Sequence, residues 1–422
     1  MPTNYYSHKR YLFLNLINHL GPISRTELIA LTDHRPASVG ELIKDLIREE
    51  LIIETGHFSK GHGRKRALLE INHSHICAIG ISVSPTSIHY IVTQINGVVL
   101  QQIETQIPGG QLHESLAQQI VAQVQELLSS YTPKTIVGIG ISEPLYDPVC
   151  YQKKGSLLSS YTHFNAWIHS DLKPQLEKLL PIPVTTSSAI TLPALAQQRF
   201  GLAKGARDFI CVELSNGIGA SICCNGNVVG GANGVAGEIG HTIINLNNTN
   251  HHLCYCGKPG CVEMDTAFPA LVREIRAALD RGVFSVLNTC YDPARELTVQ
   301  DIRQALDEND QMCMYYVKQS ASLIGVTIAN AVNLLNPELV ILHGFMLELG
   351  EYFITQLSNS IRENVLILAK NFEIRTSSTL GNLLPLGAAA ELFTAYFKMN
   401  DYQWVYEIHP DIYPQENDPL AD

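Results

Sequence analysis

Four residues carry the densest chemistry in this sequence. Cys254, Cys256 and Cys261 fall within one eight-residue stretch, Cys254-Tyr255-Cys256-Gly257-Lys258-Pro259-Gly260-Cys261. A Cys-x-Cys pair followed by a Gly/Pro-rich turn lets three sulfurs converge on one point. Three thiolates and an imidazole then complete a four-coordinate zinc site. His241 is the best fourth ligand, although His251 and His252 lie closer in sequence. With every position filled by protein, such a zinc is structural and not a Lewis acid. The chain has ten cysteines, but in a reducing compartment this clustering reads as metal before disulfide.

A second constellation is cationic. Gly61-His62-Gly63-Arg64-Lys65-Arg66 joins glycines, which let a backbone approach a phosphate closely, to three successive positive charges. Its flanks, Leu51–Glu54 and Ala67–Ile71, read as the two strands of a wing. Upstream, Leu12, Phe13, Leu16, Ile17 and Leu20 recur with helical period until Gly21-Pro22, and Ser24-Arg25-Thr26-Glu27 has the form of a capping box. After a turn at Asp33-His34, Pro36 suits the first turn of a third helix with Val39, Leu42, Ile43, Leu46 and Ile47 as its buried stripe. Its other face offers Arg35, Ala37, Ser38, Gly40, Glu41 and Lys44, small or polar groups able to enter a groove. This is helix-turn-helix spacing, with the third helix as reader of double-stranded DNA. The competing reading is a packing module with a solvated basic loop.

These sites need a frame, and the rest of the chain supplies a repeated one. Ile76–Ile81, Ile88–Val92 and Asn96–Val99 follow the same strand, turn, strand, Asn-Gly hairpin, strand order as Phe209–Leu214, Gly219–Cys223 and Asn225–Val229. Helices are expected near Leu112–Tyr131, Ser170–Leu179, Pro269–Arg281 and Met312–Leu335. A further helix opening at Leu386 packs back on the first lobe. The expected fold class is multidomain α/β. A winged helix-turn-helix occupies 1–72, a first lobe 73–190 (joined by helix 386–398), a second lobe with the zinc loop 191–385, and an acidic tail 399–422. The cleft between two such lobes suits a small ligand.

Charge distribution agrees with DNA contact at one end. The chain carries a formal net charge of -11, but residues 1–75 hold 10 Lys+Arg against 8 Asp+Glu, leaving 19 against 32 for the remainder. No apolar run approaches the ~20 residues of a membrane span, and no signal-peptide pattern follows Lys9 and Arg10. The expected location is the cytoplasm.

Taken together, Gly237-Glu238-Ile239-Gly240-His241 and Cys254 through Val262-Glu263 resemble the signature of the ROK family (repressors, open reading frames and kinases). Gly138-Ile139-Gly140-Ile141-Ser142, Asn333-Leu334-Leu335-Asn336-Pro337 and Gly387-Ala388-Ala389 support the match. The resemblance implies an actin-like body of the sugar kinase and ribonuclease H type, and the N-terminal segment resembles the repressor branch. It implies sugar-effector contacts at Ser188, Glu238, His241 and Glu263. The kinases' phosphate loop Asp-x-Gly-Gly-Thr is matched here by Ser82-Val83-Ser84-Pro85-Thr86. A second phosphate loop is altered to Ser215-Asn216-Gly217-Ile218-Gly219, and Ala189 stands where the catalytic Asp would be. An alanine takes no proton from a sugar hydroxyl. The implied protein is a non-enzymatic regulator of carbohydrate uptake or catabolism genes. It reads an inverted repeat as a homodimer or homotetramer, controlled by a sugar, a sugar phosphate or a transport-system protein. The alternative is a sugar kinase with an added DNA-binding domain.

Overall fold

The computed structural model describes residues 2–32, 34–58, 66–84, 87–107, 113–131, 134–143, 172–244, 252–254, 256–289, 295–369, 371–377 and 383–397. Three helices open the chain. In α1 (Pro2–Leu20), Leu12, Phe13, Leu16 and Ile17 are buried. Ahead of α2 (Arg25–Thr32), the Ser24 N–H donates to Glu27 Oε2 at 2.9 Å and the Glu27 N–H to Ser24 Oγ at 3.3 Å. This reciprocal pair satisfies amides that a helix start leaves open. Helix α3 (Pro36–Arg48) has its proline in the first turn and buries Val39, Leu42, Ile43 and Leu46, one face of a 3.6-residue period.

A small antiparallel sheet completes this segment: β1 (Ile23–Ser24), β2 (Ile52–Phe58) and β3 (Arg66–Ile71), in the spatial order β1-β3-β2. The strand read as ending at Glu54 continues to Phe58. It does so through a bulge between Thr55 and His57, where Gly56 adopts φ +56°.

Two five-stranded sheets follow. The first contains β4 (Ile76–Val83), β5 (Ser87–Gln94), β6 (Val99–Gln106), β7 (Thr135–Glu143) and β8 (Val184–Ser188), ordered β6-β5-β4-β7-β8. The second contains β9 (Phe209–Leu214), β10 (Ile218–Cys224), β11 (Asn227–Val229), β12 (Leu339–His343) and β13 (Glu373–Thr376), ordered β11-β10-β9-β12-β13. Each is an antiparallel three-strand meander extended by two parallel strands on the side of its first strand. The duplication seen in the short strand pattern therefore extends through both whole sheets.

Helices α4 (His113–Ser130) and α5 (Lys173–Leu179) pack on one face of the first sheet, against Cys77, Ile79, Ile81 and Tyr90. Helix α6 (Leu192–Phe200) follows β8, and its Ala194 packs on Phe209, Cys211, Leu339 and Ile341 of the second sheet. The one-turn α7 (Glu263–Thr266) precedes α8 (Phe268–Asp280), α9 (Val299–Asp307), α10 (Gln311–Leu335) and α11 (Glu351–Asn364). The last four cover the other face of that sheet, over Ile210, Val212, Val340 and Leu342.

Helix α12 (Leu383–Phe397) is apolar almost all round, the signature of a buried helix. It lies on β4 and β7 and against α6. Gly80 and Gly140 are register partners across β4 and β7. A Cβ on Gly80 would collide with the Pro385 carbonyl, one on Gly140 with the Ala388 carbonyl, and one on Gly387 with the Leu192 carbonyl. Helix backbone thus rests directly on strand and helix backbone.

The far end of α12 reaches the N-terminal segment. Leu392 and Phe393 share one core with Phe13, Ile17, Leu46 and Ile76, and the Tyr396 ring meets the Tyr11 ring edge-on at 6.0 Å. Burial of Phe393 alone is worth about 2–3 kcal/mol. Among the described residues, no helix is long and apolar enough to cross a membrane.

Candidate metal centre and sugar cleft

The centre is built on two turns that face each other beside β10. One is the single 3-10 turn Ile239–His241. It is pinned by the Ala220 N–H donating to the Gly237 carbonyl at 2.8 Å, with Gly237 at φ +99° and no room for a Cβ against Ala220. The other holds the cysteines. The Cys254 N–H donates to the Lys258 carbonyl at 3.0 Å and the Gly257 N–H to the Cys254 carbonyl at 2.9 Å, which folds the loop back on itself.

His241, Cys254, Cys256 and Cys261 offer four donor atoms that all lie within 4.8 Å of one another. Cys256 Sγ is 3.5 Å from Cys261 Sγ, and Cys254 Sγ is 3.5 Å from His241 Nδ1. This His/Cys cluster can hold a metal ion. His252 is not part of it, since its Nε2 lies 4.0 Å from Glu274 instead; His251 lies outside the described residues. Burial raises the Cys254 thiol and pushes Cys261 to about 11. A bound dication is the charge that lets such crowded sulfurs ionise.

The second nitrogen of His241 turns away from the cysteines. Its Nε2 is 3.4 Å from Glu238 Oε2, so a carboxylate orients the ring from behind. Burial lowers the His241 imidazole's affinity for protons, opposed by the charge of Glu263. The Glu238 carboxyl is held above its usual range by burial and then by Glu263. Glu263 itself is buried and accepts the Ile218 N–H at 3.0 Å, with Gly217 leaving space for its Oε2. It therefore ties the metal loop to the tip of the β9–β10 hairpin.

Ser188 ends β8, and its buried Oγ has no hydrogen-bond partner among the described residues. Two residues on, the Ile190 carbonyl accepts the Ser221 hydroxyl, and the Ile190 side chain borders Gly237, next to Glu238. Glu238, His241 and Glu263 are thus brought together, and Ser188 stands at the edge of the same region.

On α3, Arg35, Ala37 and Lys44 are exposed, Ser38 and Gly40 are half-buried, and a Cβ on Gly40 would meet no atom of the described residues within 4 Å. Arg64 and Lys65 lie outside the described residues. Arg66 is described only through its backbone, which pairs with Phe58.

Sequence reasoning missed one polar pair. Glu213 and His343 are register partners on β9 and β12. His343 is buried, its Nε2 has no hydrogen-bond partner among the described residues, and burial pushes its imidazole down to about 4. Burial raises the Glu213 carboxyl, which Ser215 offsets by a hydrogen bond, although solvent still reaches it in its recess. Lone Glu and His residues 130 positions apart give no signal in a sequence.

The sequence profile of the ROK family matches residues 78–394. The xylose repressor of Caldicellulosiruptor bescii is 28% identical over 383 residues, spanning 90% of this chain and 94% of that protein. Among solved structures, a ROK family transcriptional regulator homologous to the E. coli MLC protein aligns with a TM-score of 0.73 at 23% identity, over 92% of this chain and 97% of its own. The ROK hexokinase of Thermus thermophilus aligns with a TM-score of 0.61 at 22% identity, over 98% of its own chain but 76% of this one.

Proposed function

The chain belongs to the ROK family, and from that premise we propose that it is a sugar-responsive, DNA-binding transcriptional repressor and not a sugar kinase. The observation that carries this reading is the likeness to a xylose repressor over nine-tenths of both chains, together with the exposed polar face of α3. In this reading residues 1–72 are the DNA-binding head, 73–190 and 191–385 the two lobes, and 399–422 a tail. One head reads one half-site, so a dimer or tetramer in the cytoplasm reads an inverted repeat. Helix α3 enters the major groove with Arg35, Ala37, Ser38 and Lys44, while Arg64, Lys65 and Arg66 follow the phosphate backbone.

Two observations speak against phosphoryl transfer. At the β4–β5 turn the Ser84 N–H donates to the Ser87 carbonyl and the Ser87 N–H to Ser84 Oγ, both at 2.9 Å. Those amides are spent inside the turn and are not free to cradle phosphate. Ala189 follows Ser188 where a base would be needed, and it carries no titratable group.

Zinc suits the metal centre. Zn–S bonds of ~2.3 Å and Zn–N bonds of ~2.0 Å in a tetrahedron place donors about 3.5–3.8 Å apart, and both separations given above fall at 3.5 Å. When bound, the metal supplies structure, fixing the loop that carries Glu263 and the ring that faces Glu238. Ser188, Glu238, His241 and Glu263 then receive sugar hydroxyls. An effector changes DNA affinity only by favouring one arrangement of the paired heads, and the coupling is reciprocal. The packed path from the end of β8 through Leu192, Gly387, Phe393 and Tyr396 to α1 is continuous.

Fluorescence anisotropy with a duplex from the gene's own upstream region, with and without xylose, other sugars and sugar phosphates, tests the reading. Sequence-selective binding weakened by one of them is expected. A monomer with no sequence preference at moderate salt, or ATP-dependent turnover of any sugar, overturns it.

A further inference from the structure

Residues 399–422 hold six acids, Asp401, Glu407, Asp411, Glu416, Asp418 and Asp422, and no lysine or arginine. Tyr402, Trp404, Tyr406 and Tyr413 are interleaved with them. The structure fixes where this segment starts. Helix α12 ends at Phe397, and the preceding Tyr396 is packed on Tyr11 of α1. Arg10, one residue before Tyr11, is bonded to Glu49, the residue just past the end of α3. The charges of both Arg10 and Glu49 act on Tyr396. The segment therefore departs beside the C-terminal end of α3, not from a remote corner of the body.

Along α3 and its two flanking residues the exposed charged groups are Arg35, Glu41, Lys44, Arg48 and Glu49. Glu49 is already paired with Arg10, which leaves three cations against one acid. Arg48 keeps a pair with Asp45 at 2.8 Å but is 74% exposed. The helix has 13 residues and spans about 20 Å. A 24-residue segment reaches at most about 80 Å when extended, so α3 is within range over its whole length. Carboxylates answer lysine and arginine, and aromatic faces answer guanidinium groups.

We infer that residues 399–422 are an intramolecular ligand of the exposed face of α3, occupying in the DNA-free state the surface that DNA phosphates and base edges would take. The inference rests on the DNA-binding reading of residues 1–72 and adds a threshold to it. Weak, screened contacts suffice, because tethering gives the segment an effective concentration on the order of millimolar at α3. Non-specific DNA is excluded first. A specific operator, bound more tightly, displaces the segment.

The test uses the full chain and a second full chain with all six acids neutralised (Asp→Asn, Glu→Gln). Anisotropy of a random-sequence 30-base-pair duplex (a probe length) should show the neutralised chain binding about three- to tenfold more tightly at low salt. The advantage should disappear as salt rises. Independently of DNA, a fluorescein-labelled peptide of residues 399–422 should bind the neutralised chain. That binding should be lost on R35E/K44E/R48E. Equal duplex affinities, no peptide binding, peptide binding that survives the charge reversal, or an effect confined to self-association in sedimentation each overturn the inference. If neither chain binds any duplex while the peptide still binds α3, the DNA-binding reading fails and the intramolecular contact stands.

Discussion

Gly80 and Gly140 face each other across β4 and β7, and Glu213 and His343 face each other across β9 and β12. In the repeated strand patterns Ile76–Ile81 and Phe209–Leu214, Gly80 and Glu213 are each the fifth residue. The same address in two copies of one sheet therefore carries opposite chemistry. In the first copy the missing side chains let the backbone of α12 settle on the strands. In the second copy a carboxyl and an imidazole fill the position, and no helix backbone can approach that closely. The first sheet is thereby fastened through α12 to the N-terminal segment, while the second keeps a recessed polar floor. The hairpin tips differ in the same sense. Ser84 and Ser87 close theirs locally, whereas the β9–β10 tip is held from 45 residues away by Glu263.

The harshest way to break this contrast is to put a side chain into the glycine pair. Gly140→Val drives a branched side chain into the Ala388 carbonyl and should cost about 3 kcal/mol, the upper end for overpacking. Urea unfolding should also show the N-terminal segment loosening with the body, since α12 joins them. Wild-type stability would refute the seam.

Next in size is the loss of the metal proposed for the cluster of His241, Cys254, Cys256 and Cys261. Cys256→Ser or chelation should abolish stoichiometric metal by elemental analysis. Hydrogen exchange should then rise at Ile218 and the β9–β10 tip but not at the Ser84–Ser87 turn, because only the former depends on Glu263. Equal exchange at both tips would remove the distinction.

The polar pair gives a pH signature. His343 titrates at about 4 in the folded chain and near 6.5 when unfolded. The unfolded state binds more protons between those values, so stability is lost as pH falls from ~6.5 through ~4. His343→Gln should erase this loss, which amounts to on the order of 3 kcal/mol at the acid end, and change little of it at pH 7. Parallel acid-side curves for the two proteins would show that burial does not govern His343. Glu213 has the opposite sign. Its raised carboxyl favours protonation in the fold, so Glu213→Gln should raise Tm at neutral pH by an amount that vanishes as pH falls toward 4.

The smallest effect belongs to the local tip. Ser84→Ala removes the hydroxyl that accepts from the Ser87 N–H and donates to the Ser87 carbonyl. It should cost about 1 kcal/mol, with metal content untouched.

Much of this protein could be read along the chain because the chemistry involved is local. Ser24 and Glu27 are three residues apart and cap α2 by themselves. Val39, Leu42, Ile43 and Leu46 set the buried face of α3 by period alone, and the cysteine spacing fixes three of the four metal donors. The repeated Asn-Gly hairpins disclosed the duplication, since both copies bend at the same dipeptide. His241 stands out as the fourth donor although His251 and His252 lie closer in sequence, and the fold brings its Nδ1 to the sulfurs.

What the sequence could not determine depends on surfaces meeting from far apart. Nothing in Gly138-Ile139-Gly140 says that a helix more than 240 residues later will lie on it. Nothing in Tyr11 or Tyr396 says that they touch. Glu263 matched a sugar-contact position by resemblance, yet the fold also spends one of its oxygens on the Ile218 amide. Glu213 and His343 became a pair only because β9 and β12 run parallel in one register. A cap, a stripe or a ligand turn is decided by bonds within a few residues. A cross-strand pair or a glycine seam is decided by which backbones the collapsed chain brings within van der Waals reach, and that is a property of the whole fold.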